Sequence, residues 1–483
     1  MYWLLFASLF FYGWWNPKYL FLLVSSIAMN YGIGSVLGLK IKEEKFRFAV
    51  LVAGVSLNLV LIGYYKYYNF FIESANTLFG TEISYQEIFL PLAISFFTFQ
   101  QIAYLVDAYR REVKAYTPLQ YSVFVSFFPQ LIAGPIVHHH EVIPQFSSGL
   151  KNREVYMDLS IGSTIFFIGL FKKVLIADNF ALLATPVFTA AEQGIVPGIF
   201  QAWQGAVSYS FQLYFDFSGY SDMAIGLARM FGIQIPLNFH SPYRATGIID
   251  FWRRWHITLS RFLRNYLYFP LGGNRKGPIA RYRNLMITML LGGLWHGAGW
   301  TFVLWGGLHG IMLVINHFFR AIVKHPVKSV GAQTLSRIFT FICVTLAWVF
   351  FRAESLNGAL VVLKGMINLP HTFKGRIGPL ENILVSAGFQ FQGPWVSLSD
   401  YLSIPWLIFW MGIVWFWPNT QEWMSRYQSA LNADKFIKPG ELPFFSDRLK
   451  WHATAAWGLA IVIIGIAATL HLSRPTEFLY FQF

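Results

Sequence analysis

Ionisable and polar side chains inside apolar segments are costly, so a place where they recur is read first as functional. In this chain they recur between Tyr214 and Gly310. The stretch holds Asp216-Phe-Ser-Gly-Tyr-Ser-Asp222, Phe251-Trp-Arg-Arg-Trp-His256, Leu267-Tyr-Phe-Pro-Leu-Gly-Gly-Asn274, Leu294-Trp-His-Gly-Ala298 and Gly306-Gly-Leu-His-Gly310. His296 lies thirteen residues beyond Arg283, roughly 20 Å along a helix, and is therefore deep in an apolar segment. Gly292, Gly293, Gly297 and Gly299 surround it and allow a break or a close helix approach. A neutral imidazole there can act as general base. It can equally be a buried histidine that joins helices through hydrogen bonds, and spacing alone favours neither.

His256 has a different setting. Ile248–Phe269 reads as one amphipathic helix, with Trp252, Trp255, Leu259, Phe262 and Tyr266 at three- to four-residue intervals and Arg253, Arg254, Arg261 and Arg264 beside them. Such a helix either lies against anionic lipid or forms a cytoplasmic mouth whose arginines hold cofactor phosphates. Asp216 and Asp222 read as members of structural ion pairs, with Arg229 the nearest cation, rather than as catalytic groups. His309 lines the same cavity as His296 or packs in the core. His138, His139 and His140 are adjacent and lack a carboxylate or cysteine frame, so they read as an interfacial loop rather than a metal site. The single cysteine, Cys343, reads as a small buried apolar residue. There is no phosphate-loop lysine, no G-x-S-x-G elbow and no H-E-x-x-H, which leaves nucleotide hydrolysis, serine esterase chemistry and zinc proteolysis without support.

The elements that must position these groups are membrane spans. The 483 residues are 55% hydrophobic and 12% charged, against about 25% charged in soluble domains, and the mean hydropathy is +0.46. An ordinary soluble enzyme and a disordered chain are both excluded. Uncharged runs at Tyr19–Leu39, Phe48–Tyr65, Ile88–Val106, Ala115–His140, Gln193–Phe215, Asn284–Phe319, Tyr401–Gln421 and Trp451–Ser473 predict helical spans, with shorter ones at Leu159–Phe171 and Ile338–Phe351. The fold class is an all-α polytopic membrane protein of roughly eleven transmembrane helices, with no β-barrel alternation. The run Asn284–Phe319 is too long for one span and must break. Met1–Trp15 has no basic start and no small-residue cleavage site, so it reads as a retained helix. Aromatics at span ends, among them Trp14, Trp15, Tyr64, Tyr65, Tyr67, Tyr68, Trp415 and Trp417, read as interfacial anchors. Residues 1–483 form a single membrane domain, and no polar stretch is long enough to fold alone.

The net charge of +14 is unevenly placed. Arg244–Arg283 carries nine basic residues against the one acid Asp250, which is +8 of the total. Other basic clusters, at Lys40–Arg47, Arg110–Lys114, Lys172–Lys173, Arg320–Lys328 and Arg448–Lys450, place most of these ends in the cytoplasm.

Phe251-Trp-Arg-Arg-Trp-His256 followed forty residues later by Trp295-His296-Gly297 resembles the membrane-bound O-acyltransferases, in the branch of the alginate O-acetyltransferases. Tyr12-Gly-Trp-Trp-Asn-Pro17, Phe127-Phe-Pro-Gln-Leu-Ile-Ala-Gly-Pro135 and Asp216-Phe-Ser-Gly-Tyr-Ser-Asp222 extend the resemblance over nearly the whole chain. It implies a ring of tilted helices around a central tunnel, with re-entrant or interfacial helices, in a bacterial inner membrane. It implies catalytic roles for His296 and, less strictly, His256. Arg253, Arg254, Trp255, Arg261, Arg264, Asn274, Trp295, Trp300 and His309 would then bind the donor or line the tunnel. Acetyl-CoA or another acyl thioester would be the donor substrate, with no tightly bound cofactor and no metal. An exported polysaccharide would be the acceptor, with membrane lipid and periplasmic acetyltransferases as partners and no nucleic acid. Tyr480, in the aromatic ending Phe478–Phe483, is either a transient acyl carrier or an interfacial anchor. Within the same resemblance, peptidoglycan O-acetylation and D-alanyl transfer to teichoic acid are alternatives. A transporter of an anionic or lipid-linked substrate is a reading from another class, weakened by the lack of an internal repeat.

Overall fold

A computed structural model of the chain describes residues 1–39, 41–113, 115–148, 154–323, 329–368, 386, 398–437, 449–473 and 479. Regular structure among them is helical, and the one β-type contact is an isolated bridge between Pro236 and Leu431. The first half runs α1 (Tyr2–Trp15), α2 (Pro17–Gly38), α3 (Glu44–Ile62), α4 (Tyr68–Phe79), α5 (Ile94–Tyr109), α6 (Pro118–Ser126), α7 (Phe128–Leu131), α8 (His139–Ser148), α9 (Val155–Phe171), α10 (Asp178–Glu192) and α11 (Ile199–Met230). The second half runs α12 (Ile248–Arg254), α13 (Ile257–Leu263), α14 (Gly277–His296), α15 (Trp300–Ile322), α16 (Val330–Arg352), α17 (Leu356–Gly365), α18 (Leu398–Phe416), α19 (Thr420–Trp423) and α20 (Ala455–Leu470).

Five helical stretches among the described residues are long and apolar enough to cross a membrane: Pro17–Gly38, Glu44–Phe79, Val155–Glu192, Trp300–Ile322 and Val330–Arg352. Leu356–Gly365, Ser403–Phe416 and Ala455–Leu470 are shorter apolar helices. Large apolar side chains lie exposed on them, Phe21, Phe409 and Leu459 among them, as expected of surfaces that meet lipid.

Several segments depart from the sequence expectation, each for a local reason. Ala115–His140 is not one span, because Pro129 and the extended backbone at Phe127 divide it into α6, α7 and a non-helical stretch. Leu159–Phe171 is part of a 38-residue helical stretch, with a π-helical segment at Lys172–Ala177 joining α9 to α10. The expected amphipathic helix Ile248–Phe269 is broken at Trp255–His256 into α12 and α13. Asn284–Phe319 does break, at Gly297–Gly299, between α14 and α15.

Close glycine contacts set the helix pairs that frame the site. Gly162 and Gly169 of α9 lie against Gly226 and Gly219 of α11, and a Cβ on Gly162 would meet the Gly226 carbonyl at 2.6 Å. Such small-residue seams let backbones approach where lipid gives no hydrophobic driving force between helices. The same device joins α14 to α15, where a Cβ on Gly293 or Gly306 would collide with the opposite backbone. One apolar core holds Trp305, Trp348 and Phe351, and another holds Trp295, Leu259 and Phe262. The helix break after His296 follows Trp295 of one core and precedes Trp305 of the other.

Candidate active site

His296 is the last residue of α14, where the backbone turns extended at Gly297. A Cβ on Gly297 would collide with the Phe302 ring, so glycine is what lets α15 fold back over the break. The final carbonyls of a helix have no intrahelical partner. Here they are held from a distant part of the chain. The Tyr67 hydroxyl donates to the Leu294 carbonyl at 2.8 Å, and Lys66 Nζ donates to the carbonyls of Trp295 at 2.6 Å and His296 at 3.1 Å. Both residues belong to the π-helical segment Gly63–Tyr67, and such segments often mark functional positions. Sequence reasoning missed Lys66, although a lone lysine inside an apolar run was the available signal, and it read Tyr67 as an interfacial anchor.

His256 follows α12 with left-handed backbone angles, φ 41° and ψ 55°. A non-glycine residue persists there only if its surroundings enforce it. The segment around Asn238 supplies that constraint. The Ile257 amide donates to the Asn238 carbonyl and the His240 amide to the Arg254 carbonyl, both at 2.9 Å. Asn238 Oδ1 lies 3.1 Å from His256 Nδ1 and accepts from the Thr258 hydroxyl at 2.8 Å. With Nδ1 so engaged, His256 Nε2 is buried and without a hydrogen-bond partner among the described residues. The His256 and His296 rings have centroids 6.3 Å apart. The structure therefore brings the two predicted histidines together.

Aromatic rings enclose the pair. Trp295 packs at 4.9 Å, Trp305 at 5.0 Å and Phe351 at 5.2 Å from the His296 ring. His309 is fully buried, 4.9 Å from Trp305, and its Nδ1 accepts from Trp252 Nε1 at 3.2 Å. The indole nitrogens of Trp295 and Trp305 are buried and, among the described residues, without a hydrogen-bond partner, as is Nδ1 of His296. Trp305 was not singled out from sequence, because it looks like one more apolar position on α15. Trp300 was singled out and stands apart: it is 57% exposed, bonds Ser74 and packs on Phe70. Trp255 is buried against Phe251 and Trp348 instead of facing the arginines.

The basic segment borders a cleft of about 830 Å³ lined by Arg253, Arg254, Arg261, Arg264, Asn274, Arg281 and Lys435, with Trp252, Thr258 and Met289 on its inner wall. The two histidines do not line it, but its wall reaches His256 through Thr258 and Asn238, and His296 through the Trp252 and Trp305 rings. The positive charge is divided. Arg254 pairs with Asp250 at 3.1 Å, Arg261 grips Glu141 with two bonds, and Arg244 grips Glu422 outside the cleft. Arg253, Arg264 and Arg281 have no carboxylate partner among the described residues.

The predicted carboxylate pairs form with different partners. Asp216 pairs with Lys173 at 2.8 Å, and Asp222 with Lys172 at 2.7 Å and with the Thr420 hydroxyl at 2.6 Å. Arg229 pairs with Asp158 instead, at 2.8 Å. Lys172 and Lys173 are thus internal counter-ions and not members of a basic loop. His138 and His139 are buried too, which overturns their reading as an interfacial loop. Tyr480 lies outside the described residues. Its neighbour Leu479 is fully buried.

An all-helical membrane protein with buried histidines at a helix break is the class this fold and site define. The profile of the membrane-bound O-acyltransferase family matches residues 85–356, and the chain belongs to that family; it is an O-acyltransferase. It is 48% identical over 398 residues to a peptidoglycan O-acetyltransferase of Helicobacter pylori, covering 76% of this chain and 73% of that protein. It is 38% identical over 488 residues to a probable alginate O-acetylase AlgI of Pseudomonas putida, covering 99% and 94%. A teichoic acid D-alanyltransferase of Streptococcus thermophilus is 30% identical over 236 residues, 47% of this chain and 56% of that protein. The transporter reading falls with these findings.

Proposed function

We propose that the chain moves an acetyl group from a cytoplasmic thioester, acetyl-CoA or an acyl carrier, towards hydroxyls of an exported polysaccharide such as alginate. The protein would sit in a bacterial inner membrane, with roughly eleven spans around a tunnel open to both faces. The observation that carries the reading is His296: buried at a helix break, ringed by tryptophans, and one residue layer from a cleft that holds uncompensated arginines. Arg253, Arg264 and Arg281 would hold donor phosphates. His296 would take the proton of the acceptor hydroxyl as its oxygen attacks the thioester carbonyl. The indole N–H groups of Trp295 and Trp305 would donate to the tetrahedral oxyanion. Collapse would expel the thiolate, which takes the proton from His296, and His256 would orient the donor. Asp216 and Asp222 would act structurally.

Tyr480 would carry the acetyl group between donor and polysaccharide. The burial of Leu479, next to it in the chain, supports this. Periplasmic acetyltransferases would finish the transfer. Peptidoglycan is the second reading of the acceptor, favoured by the 48% identity to the Helicobacter protein.

The test is purified protein in nanodiscs with acetyl-labelled acetyl-CoA. Donor turnover that disappears in His296→Ala is expected. Undiminished turnover in that variant defeats the assignment. Loss of transfer but not of expression in Tyr480→Phe would separate the relay from an anchoring role.

A further inference from the structure

The three consecutive histidines have no part in that chemistry, yet they are built into a polar cluster at the C-terminal end of α5. His139 Nε2 lies 3.0 Å from Asp107 Oδ2, and one donor atom each from Asp107, His139 and His140 lies within 4.8 Å of the other two. Each inner member is also oriented from behind. His139 Nδ1 is 3.0 Å from the Tyr116 hydroxyl, and the Tyr266 hydroxyl donates to Asp107 at 2.8 Å and meets His138 Nδ1 at 3.1 Å. A partner on the second ring nitrogen and a donor on the carboxylate are what metal sites place behind their ligands. His138 adds an independent sign: it is 3% exposed, and its Nε2 has no hydrogen-bond partner among the described residues. His140 is exposed, which leaves the cluster open on one side.

We infer that Asp107, His139 and His140 form a binding site for one divalent zinc-class cation. Two histidines and a carboxylate with an open position are a three-ligand set that Zn²⁺ accepts. Bonds of about 2.0–2.2 Å in a tetrahedron put neighbouring ligand atoms roughly 3.3–3.6 Å apart, so His139 and Asp107 part by a few tenths of an ångström and the widest pair closes by about 1 Å. On binding, the His139 ring keeps its proton on Nδ1, facing Tyr116, and presents the Nε2 lone pair to the ion. The ion would tie α5 to α8 beside the cleft, because Glu141, next in the chain, holds the cleft residue Arg261.

The experiment uses the untagged full-length protein in nanodiscs, stripped with chelator and dialysed. Co²⁺ is titrated while its visible d–d bands are followed, and bound zinc is counted after equilibration with Zn²⁺ alone. One equivalent of either ion is expected, with affinity weakened at least about tenfold in His140→Ala, whose side chain is exposed, and in Tyr116→Phe. Less than a tenth of an equivalent bound would show a hydrogen-bonded cluster only. Equal affinity in His140→Ala and Asp107→Asn would place the ion elsewhere. Either result overturns the site.

Discussion

Lys66 Nζ lies 2.6 Å from the carbonyl oxygen of Trp295, 229 residues away in sequence. A second bond from the same nitrogen reaches the His296 carbonyl. The lysine therefore fixes the backbone of the histidine at the point where its helix ends. Lys66→Met would leave buried carbonyls without a donor, at about 1–3 kcal/mol for each group left unsatisfied. The expected result is a kcat lower by about one to two orders of magnitude with KM for the donor little changed, since 1.4 kcal/mol is a factor of ten. Lys66→Arg, which keeps charge and donors, should recover part of that kcat. An equal loss in both variants, with KM rising, would place Lys66 in donor binding instead.

Asn238 supports His256 in the same indirect way. Its Oδ1 serves His256 and both the hydroxyl and the amide of Thr258. Asn238→Ala removes these contacts at a residue whose left-handed backbone depends on them. The expected cost is about 2–3 kcal/mol of stability, read as a lower thermal midpoint in detergent, together with a loss of turnover. Unchanged stability would mean that the backbone bonds alone hold the kink.

These two supports explain what the sequence made legible and what it hid. His296 and His256 stood out because each is ionisable within an aromatic, apolar motif; the length of Asn284–Phe319 required a helix break somewhere in the run, and the glycines around His296 allowed one there. The break at His256 was hidden, because the apolar spacing continues smoothly across it and only tertiary bonds from Asn238 reveal it. Ion-pair partners were hidden for the same reason. Arg229 is near Asp222 in sequence, but Lys172 on the neighbouring helix is near it in space. Trp300 and Trp305 look alike in a string of residues. Which one meets His296 follows from the helical phase after Gly299, and that phase is set by the packing of Gly306 on α14.

The two tryptophans provide a sharp contrast. Trp305→Phe keeps a six-membered ring in the cage and removes the five-membered ring with its indole N–H, which has no hydrogen-bond partner among the described residues. If that N–H serves the oxyanion, kcat should fall by about 10²- to 10³-fold, the scale found for a single oxyanion donor. Trp300→Phe should stay within about twofold, since surface changes away from special features are nearly neutral. Labelled-acetate release from acetyl-CoA measures both. Similar effects in the two variants would remove Trp305 from the reaction.

The arginines of the cleft should separate into two kinds. Arg264 and Arg281 face the cleft without a carboxylate partner, so their charge is available to a phosphate. Arg264→Ala or Arg281→Ala should raise the donor KM about tenfold each, because hydrogen bonds to charged groups contribute about 1.5–3 kcal/mol when desolvated and less at an open cleft. The effect should shrink as salt is raised, since added ions screen these exposed charges. Arg261 is different, because both its terminal nitrogens are bound to the buried carboxylate of Glu141. Removing it leaves that carboxylate without its counter-ion, and breaking a buried pair from one side costs about 3–5 kcal/mol. Arg261→Ala should therefore lower the thermal midpoint, with little dependence on salt, whereas Arg264→Ala and Arg281→Ala should leave it nearly unchanged. A salt-sensitive KM effect at Arg261 with normal stability would mean that its contact with Glu141 gives way to the donor on binding.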